Sequence, residues 1–504
     1  APLPERPRPT IDAARETRHT LTNASVRLTF SSVGARLVRA ELLDYRAENA
    51  EGSGHVTLET GDLLNLSFAG AAPYLDYAVR EAEGGLLFAA TLPDGTALER
   101  RVALDAEGYA LTVRDEFLSK TGAEIAPYGF DAGRCALPPG AKGEALGADF
   151  LAAGESKPEY YETELGSLLG ARSAFLGCGT STDPTGVPFE KTTPLPGEQT
   201  WAALKSRFFV TLTMPPAPSP AALTVGRERS AQVMRIDSVE ARFTYPALKL
   251  QAGVRSGVET RLYVGPKALS RLDAFGAHAG RVMDFGFFAW LCGPLLWVLN
   301  VFHALIPNYG VAIILLTLLV RVIFWPLTHK STVAMRKMSV IQPQIKEIQR
   351  KFKDNPQKIQ QETFRLYREQ KVNPFSSCLP MLVQIPVFIA LFVVLRSAVE
   401  LRFAPFLWIA DLSQPENLLA GVLPVPLNIL PILTAVTMGL QTHLSPSTGD
   451  PAQKRMMTWM MPIMLLFMFY SMPSALCLYW TVSQVLSILQ MWHIQRTTRA
   501  AAAP

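Results

Sequence analysis

Four long runs without a charged side chain constrain this 504-residue chain more than any other feature. A helix needs about 20 predominantly apolar residues to cross a bilayer, so these runs exclude a purely soluble protein. The charge-free runs are residues 285–320, 372–395, 417–449 and 456–495. Turn and proline signals divide them, and we predict an α-helical membrane bundle of five spans within residues 307–495. The approximate bounds of the spans are 307–327, 374–397, 427–443, 456–471 and 474–495.

The basic residues orient these spans. Residues 1–265 have a net charge of −6 and residues 266–504 a net charge of +11, which together give the +5 of the whole chain. The excess is greatest between residues 329 and 372, which hold 11 basic and 4 acidic residues. Short basic loops stay in the cytoplasm, so we predict a cytoplasmic C-terminus and an exported region over 1–306. Because the positive surplus lies among apolar runs, we expect no nucleic-acid recognition.

The segment 285–306 leaves two arrangements open. It is apolar enough to span the membrane, which would place the N-terminal domain inside, and charge counting does not constrain a large domain. Its aromatic and leucine side chains equally suit an amphipathic helix lying in the membrane interface, which is the arrangement we favour. Because the chain begins at Ala1 without a signal sequence, we also expect a further segment before it.

Residues 20–265 have the pattern of a periplasmic antiparallel β-sandwich. Val26, Leu28 and Phe30 alternate with polar residues, and turn signals such as Pro93-Asp94-Gly95 separate many short runs. The predicted flanking segments are a disordered tether over 1–19, a linker helix plus the interfacial helix over 266–306, and a short cytoplasmic tail over 496–504.

The sandwich offers little material for catalysis. It holds only His19 and His55, and the chain has no P-loop, dinucleotide-binding or His-Glu-x-x-His motif. We therefore expect no enzyme activity, no metal site and no cofactor. Cys135 and Cys178 would face an oxidising compartment, and the sequence leaves open whether they pair.

Polar side chains inside the spans form the candidate site. A charge deep in the bilayer costs from about 3 to more than 10 kcal/mol. Arg321 therefore either extends toward the cytoplasmic surface or lines a wet cavity between helices. Thr317, one turn earlier, lies on the same helix face. The predicted substrate groove comprises Arg321, Thr317, Gln384, Gln441, Tyr479 and Trp480.

Two further surfaces accompany the groove. The Met-rich span suits either ordinary packing or an adaptable contact wall for substrate, for which we name Met460, Met464 and Met468. Residues 329–372 predict a cytoplasmic helical hairpin with one apolar stripe and a turn before Pro356. Its basic residues suit anionic lipid headgroups and include Lys330, Arg336, Lys337, Lys346, Arg350 and Lys351.

The C-terminal half contains a series of short motifs. They are Phe324-Trp325-Pro326-Leu327-Thr328, Gln342-Pro343, Leu366-Tyr367-Arg368-Glu369-Gln370-Lys371-Val372-Asn373-Pro374, Cys378-Leu379-Pro380, Gln384-Ile385-Pro386, Val399-Glu400-Leu401-Arg402, Leu444-Ser445-Pro446 and Leu478-Tyr479-Trp480. In order and spacing, over about residues 284–495, these motifs resemble the YidC family of membrane-protein insertases. The large domain before them resembles the periplasmic domain of the Gram-negative type, a β-sandwich of the sugar-mutarotase kind.

The resemblance implies a bacterial inner-membrane insertase and chaperone with a groove open to the cytoplasm and to lipid. Arg321 matches the family's groove arginine, and Thr317, Gln441, Tyr479 and Trp480 fall on family groove or substrate-contact positions. The implied partners are nascent membrane proteins, the bilayer, the Sec translocase and the ribosome. The short, weakly basic tail argues against ribosome docking through that segment.

Two other classes stay open from the residues alone. A secondary transporter would also bury an arginine, but it should show repeat symmetry and broken spans in matching halves. A membrane-anchored carbohydrate-active enzyme would need catalytic residues that the sandwich does not display.

Overall fold

The computed structural model describes most of the chain as strands and helices. The described residues are 14–50, 52–82, 84–136, 146–160, 189–227, 238–353, 355–370, 379–422, 424–444 and 456–500. They divide into two units, Ala1–Asp284 and Phe285–Pro504.

The first unit contains nineteen described strands, all paired antiparallel. β1 to β4 form one sheet in that order, and β10 pairs with β18. The large sheet runs β5-β11-β17-β16-β14-β15-β19-β9-β8-β7-β6, with β12 and β13 branching from β14. The strands are β1 Arg18–Thr22, β2 Val26–Ser31, β3 Leu37–Arg46, β4 His55–Glu59, β5 Leu66–Ser67, β6 Ala78–Ala82, β7 Gly85–Thr91, β8 Ala97–Leu104, β9 Ala110–Leu118, β10 Ala123–Ile125, β11 Tyr128–Ala136, β12 Gly147–Ala152, β13 Glu159–Tyr160, β14 Phe189–Lys205, β15 Phe209–Met214, β16 Ser219–Arg227, β17 Ser238–Tyr245, β18 Leu248–Leu250 and β19 Arg255–Pro266.

The sandwich core lies between the four-stranded and the large sheet. The predicted alternation in β2 is confirmed, since Val26, Leu28 and Phe30 are all buried. Phe30 packs on Phe88 of the large sheet, with ring centroids 6.1 Å apart. Apolar side chains on every second residue therefore hold the two sheets together. The predicted turn at Pro93-Asp94-Gly95 is also confirmed, because it joins β7 to β8.

Two ion pairs are buried inside this unit. Arg100 on β8 binds Asp115 on β9 through two hydrogen bonds of 2.7 and 2.9 Å, and neither side chain reaches solvent. Lys205 Nζ lies 2.8 Å from the buried Asp149 carboxylate. Burial raises the pKa of Asp149 to about 6, although the charge of Lys205 opposes the shift.

The structure corrects both predicted boundaries of the sandwich. A tether over 1–19 is too long, because β1 begins at Arg18 and the Glu16 carboxylate accepts a 2.7 Å hydrogen bond from Ser31. The linker over 266–306 is also too long. Its first part forms α1 (Leu269–Phe275) and a 3₁₀ turn (Ala279–Met283) within the first unit. Trp201, buried in β14, donates to the carbonyl of Ala277 and anchors this segment.

The second unit is helical. Its α-helices are α2 Ala289–Leu305, α3 Tyr309–Lys351, α4 Pro356–Glu369, α5 Leu379–Ser397, α6 Ile429–Leu444, α7 Met461–Phe469 and α8 Ser474–Ala500. A π-helical turn, Met456–Met460, precedes α7, and 3₁₀ turns occur at Gly286–Phe288 and Val399–Leu401. Helix α3 runs for 43 residues and contains Pro326 and Pro343.

Three described helices are long and apolar enough to cross a membrane, and three more are apolar but shorter. The long ones are Gly286–Leu305, Tyr309–Ala334 and Ser474–Ile494. The shorter ones are Gln384–Ser397, Ile429–Leu444 and Thr458–Phe469. The first long helix includes the segment predicted to lie in the interface, so its length and composition alone also allow it to span.

Candidate functional site

Arg321 lies on α3, where its guanidinium reaches across to α8. Its Nε donates to Ser483 Oγ at 3.1 Å, and its Nη2 donates to the Ser483 carbonyl oxygen at 2.8 Å. Among the described residues no carboxylate forms an ion pair with Arg321, and no acceptor is within hydrogen-bond distance of Nη1. Among the described residues, the guanidinium is therefore bonded only to neutral oxygens. It keeps N–H donors that could bind an anion.

A ladder of polar contacts continues from Arg321 between α3 and α8. Ser487 Oγ donates to the Ser483 carbonyl oxygen at 3.0 Å, and Gln490 Nε2 donates to Thr328 Oγ1 at 2.9 Å. Sequence reasoning missed Ser483, Ser487, Gln490 and Thr328. A signal was present, because Tyr479, Ser483 and Ser487 recur every fourth residue and so share one face of α8.

The structure brings together two of the predicted groove residues from different helices. Gln384 Nε2 on α5 donates to the Tyr479 hydroxyl on α8 at 2.6 Å. Tyr479 is almost fully buried and precedes Ser483, the partner of Arg321, by one turn. The Thr434 hydroxyl on α6 lies 2.8 Å from the Thr481 hydroxyl on α8 and makes a second polar contact between helices. Polar side chains of three helices, α3, α5 and α6, therefore contact α8.

Trp480 lies beside this polar path in an aromatic cluster. Its ring is 4.8 Å from that of Phe388 and 5.7 Å from that of Phe469, measured between centroids. The indole Nε1 is shielded from solvent and has no partner among the described residues. An aromatic, apolar surface therefore lies next to the polar groups.

The predicted methionine wall is on the outside of the unit. Met460, Met464 and Met468 have exposed fractions of 65%, 59% and 43%. They share the exposed face with Trp459, Ile463 and Phe467. These methionines are therefore not core residues, and they are free to contact lipid or a passing apolar helix.

Two other predicted groove residues, Thr317 and Gln441, lie apart from the hydrogen bonds of Arg321. Thr317 is fully buried, and its hydroxyl donates to the Ile313 carbonyl oxygen of its own helix at 2.7 Å. The structure gives it no hydrogen bond to Arg321. Gln441 is half-buried one turn before the end of α6 at Leu444. Neither residue shares a hydrogen bond with the Arg321–Ser483 pair.

The C-terminal half of α3 packs against α4. Met338, Ile341 and Ile345 form a buried cluster with Leu366. Asn355 caps α4 by accepting from the Lys358 amide at 3.1 Å, and Pro356 is the first residue of the helix. The basic side chains Lys330, Lys337, Lys346, Arg350 and Lys351 are exposed. The side chain of Arg336 lies outside the described residues.

Cys178 in the first unit also lies outside the described residues, so the predicted possibility of a Cys135–Cys178 pair stays open.

A metal centre finds no support in the described part of the chain, where no group of three or more His, Cys, Asp or Glu residues is placed to hold an ion.

A large antiparallel sandwich joined to apolar helices of membrane-spanning length defines a two-part membrane protein. Residues 18–298 match the model of the YidC periplasmic domain, and residues 301–501 match that of the 60Kd inner membrane protein. The first match alone covers more than half of the chain. The chain therefore belongs to the YidC family of inner-membrane proteins.

Individual relatives and solved structures are also similar to this chain. A membrane protein insertase YidC of Syntrophobacter fumaroxidans is 40% identical over 303 residues, which are 59% of this chain and 54% of that protein. The chain thus spans about half the length of the curated relatives it matches. An active YidC insertase crystal structure has 18% identity and a TM-score of 0.39, with 95% of this chain and 92% of that chain covered. A putative aldose 1-epimerase of Escherichia coli K12 has 12% identity and a TM-score of 0.28, with 49% and 99% covered.

Proposed function

We propose that this protein is a membrane-protein insertase and chaperone. The observation that supports it best is Arg321, a half-buried cation between apolar helices whose described hydrogen-bond partners are only the oxygens of Ser483. An ion pair would cancel this charge, but hydroxyl and carbonyl oxygens leave it able to attract an anion.

The substrate is a nascent apolar helix with a short polar, often acidic, flank. Moving that flank across the hydrocarbon core is the barrier to insertion. Polar groups between α3 and α8 shorten the dry path, and Arg321 attracts carboxylates more strongly there than in water. The apolar helix then leaves past Trp480 and the exposed methionines into lipid. Burial of apolar surface and the membrane potential drive release, so no catalytic step or cofactor is needed.

The proposed arrangement in the membrane follows the charge distribution. Five spans place the sandwich in the periplasm and the α3–α4 hairpin with its lysines and arginines in the cytoplasm. The hairpin receives the substrate before the groove does. Clients are nascent membrane proteins, and we include the Sec translocase and the ribosome as candidate partners.

The test compares two single-span clients that differ only in an acidic or an amide flank. Arg321→Ala should lower insertion of the acidic client into proteoliposomes at least ten-fold, and Arg321→Lys should restore part of it. Arg396→Ala is the matched control, because it removes the same charge from the last turn of α5.

Equal losses for the two clients would contradict the electrostatic step and leave groove hydration as the driving feature.

Crosslinks from Tyr479, Trp480 and Met464 to a stalled client helix test the proposed path of the apolar helix into lipid. A crosslink pattern that avoids all three positions would place the substrate on another face.

A further inference from the structure

The connection between α5 and α6 presents large apolar side chains outward. It runs from Ala398 to Asn428, directly between two apolar helices. Five of its described side chains are exposed by between 43% and 76%, and we call them the tip residues. They are Leu407, Trp408, Leu419, Val422 and Val425.

The first tip is a two-residue hairpin loop. Phe406 and Ile409 exchange backbone hydrogen bonds of 2.9 and 2.8 Å, which leaves Leu407 and Trp408 at the turn. Ile409 is buried, and Phe406 packs so closely on the first turn of α3 that a Cβ on Gly310 would collide with its ring. The base of the hairpin is therefore fixed while its tip projects.

The second tip is closed in the same way. Leu418 and Leu427 exchange backbone hydrogen bonds of 2.9 and 2.8 Å, and the intervening loop carries Leu419, Val422 and Val425. Asn428 holds its base, because its side chain accepts from the Asn417 amide at 2.7 Å and donates to the Tyr470 carbonyl oxygen at 2.7 Å. The loop is thereby tied to the end of α7.

Two carboxylates of this connection are bonded within the helical unit. Glu416 accepts from the Trp408 indole at 2.7 Å and from the Leu430 amide at 2.9 Å, which joins the first tip to α6. Asp411 accepts from the amides of Phe403 and Ser413. These two carboxylates are half-buried and hydrogen-bonded, whereas the five tip residues, all apolar, are exposed. A loop tip that faced water would more often carry polar side chains.

Both tip leucines have an unfavourable backbone conformation. Leu407 and Leu419 have φ values of 52° and 57°, in the left-handed region that glycine and asparagine occupy far more readily. Leucine at both positions costs stability that a polar turn residue would avoid. Such strain is kept where the side chain has a task.

We propose that the two tips insert into the lipid leaflet next to the ends of α5 and α6. The occupant is lipid because both ends of the connection are apolar helices, which hold the tips at the membrane surface. Trp408 has the form of an interfacial residue, with its indole N–H bonded and its ring exposed. The inference goes beyond the proposed function and requires only that α5 and α6 cross the membrane.

The first test is fluorescence quenching of the full chain in liposomes that contain brominated lipids. The difference between the wild type and Trp408→Phe isolates the emission of Trp408 from that of the other seven tryptophans. We expect strong quenching by lipids brominated near the headgroup end of the acyl chain and weaker quenching by those brominated near its end. Trp201→Phe is the control, because Trp201 is buried in the sandwich and its contribution should not be quenched.

The second test removes the apolar tips without disturbing the turns. The double variant Leu407→Asn with Leu419→Asn places asparagine, which accepts the left-handed backbone, at both positions, so the protein should fold. We expect the emission of Trp408 to move to longer wavelength and its quenching to fall. Val340→Asn, at an exposed position on the C-terminal half of α3, should change neither.

An unquenched, long-wavelength emission of Trp408 in the wild type would overturn the proposal. It would show that the tips lie in water, where they could bind a protein partner instead of lipid. Unchanged quenching in the double variant would remove the role of the two leucines.

Discussion

Each unit of this protein holds an arginine between packed elements, fully buried in the sandwich and half-buried in the helical unit, and the two arginines have opposite surroundings. In the sandwich, Arg100 is bound by both carboxylate oxygens of Asp115 at 2.7 and 2.9 Å, and its Nη1 donates to backbone carbonyls. In the helical unit, Arg321 has only the neutral oxygens of Ser483 among the described residues. The first charge is cancelled, whereas the second is not.

This difference predicts a structural role for Arg100 and supports the role in insertion that we propose for Arg321. A paired guanidinium with saturated donors joins strands β8 and β9 and offers nothing to a ligand. A guanidinium that lacks a counterion keeps its field, at the cost of its own desolvation. Four measurements test this difference between the two units.

The largest effect is expected for Arg100→Met. The substitution leaves the Asp115 carboxylate buried without a partner, so the sandwich should lose about 3–5 kcal/mol of unfolding free energy. Hydrogen exchange of peptides from β8 and β9 in the full chain would report the loss. The double variant Arg100→Met with Asp115→Leu should recover most of it. A loss below about 1 kcal/mol would mean that the pair is not a structural unit.

The buried Asp149 should give the sandwich a pH-dependent stability. Its pKa is raised to about 6 by burial, against about 3.9 in an unfolded chain. The folded state therefore binds a proton that the unfolded state does not bind between these values. The unfolding free energy should fall by about 1–3 kcal/mol as the pH rises from about 4 to about 6, and then level off.

Urea unfolding of the full chain across this pH range, followed by hydrogen exchange in β12, measures the dependence on Asp149. Asp149→Asn keeps the shape of the side chain and should flatten the curve in this window. An equal slope in the variant would assign the dependence to another group.

A smaller change in stability is expected for Arg321→Ala, despite its large effect on insertion. No carboxylate loses its partner, and the cost of burying a charge is removed, so the helical unit should change by about 1 kcal/mol or less. Thermal unfolding in lipid nanodiscs tests this, with Arg321→Met as a control for volume. A loss as large as that of Arg100→Met would make Arg321 a structural residue and erase the comparison.

The smallest effect is expected for Ser483→Ala. The Ser483 carbonyl oxygen still accepts from Arg321, so only the orientation of the guanidinium changes. The variant removes the two hydrogen bonds that Ser483 Oγ accepts from Nε and Nη2 of Arg321, and insertion of an acidic client should fall by about two- to five-fold. Ser487→Ala is the control, because its hydroxyl binds the same carbonyl oxygen but not Arg321. Equal effects of the two variants would indicate a general loosening of α8.

Local patterns predicted the parts of the fold that depend on neighbouring residues. Alternation identified β2, the Pro-Asp-Gly turn identified the β7–β8 hairpin, and an arginine in an apolar run identified the candidate site. Contacts between distant residues were beyond this reasoning. Arg100 meets Asp115 only through the register of β8 and β9, and Ser483 meets Arg321 only through the packing of α8 on α3.

The sequence boundaries were wrong where tertiary contacts override composition. Residues 14–17 look like part of a proline-rich tether, but Glu16 is held by Ser31 and Arg36. Residues 267–284 look like a linker, but Trp201 binds the backbone there. The backbone strain of Leu407 and Leu419 carries no sequence signal, because leucine is not a residue that favours a positive φ.

Pro326 interrupts the hydrogen bonding of α3 between Arg321 and the part of the helix that packs against α4. Proline has no amide hydrogen, so the Val322 carbonyl lacks its usual partner at position 326, and bending costs less there than elsewhere. A force on the C-terminal half of α3 would therefore change its angle at Pro326, while the Arg321 guanidinium, about a turn and a half earlier, stays bonded to α8.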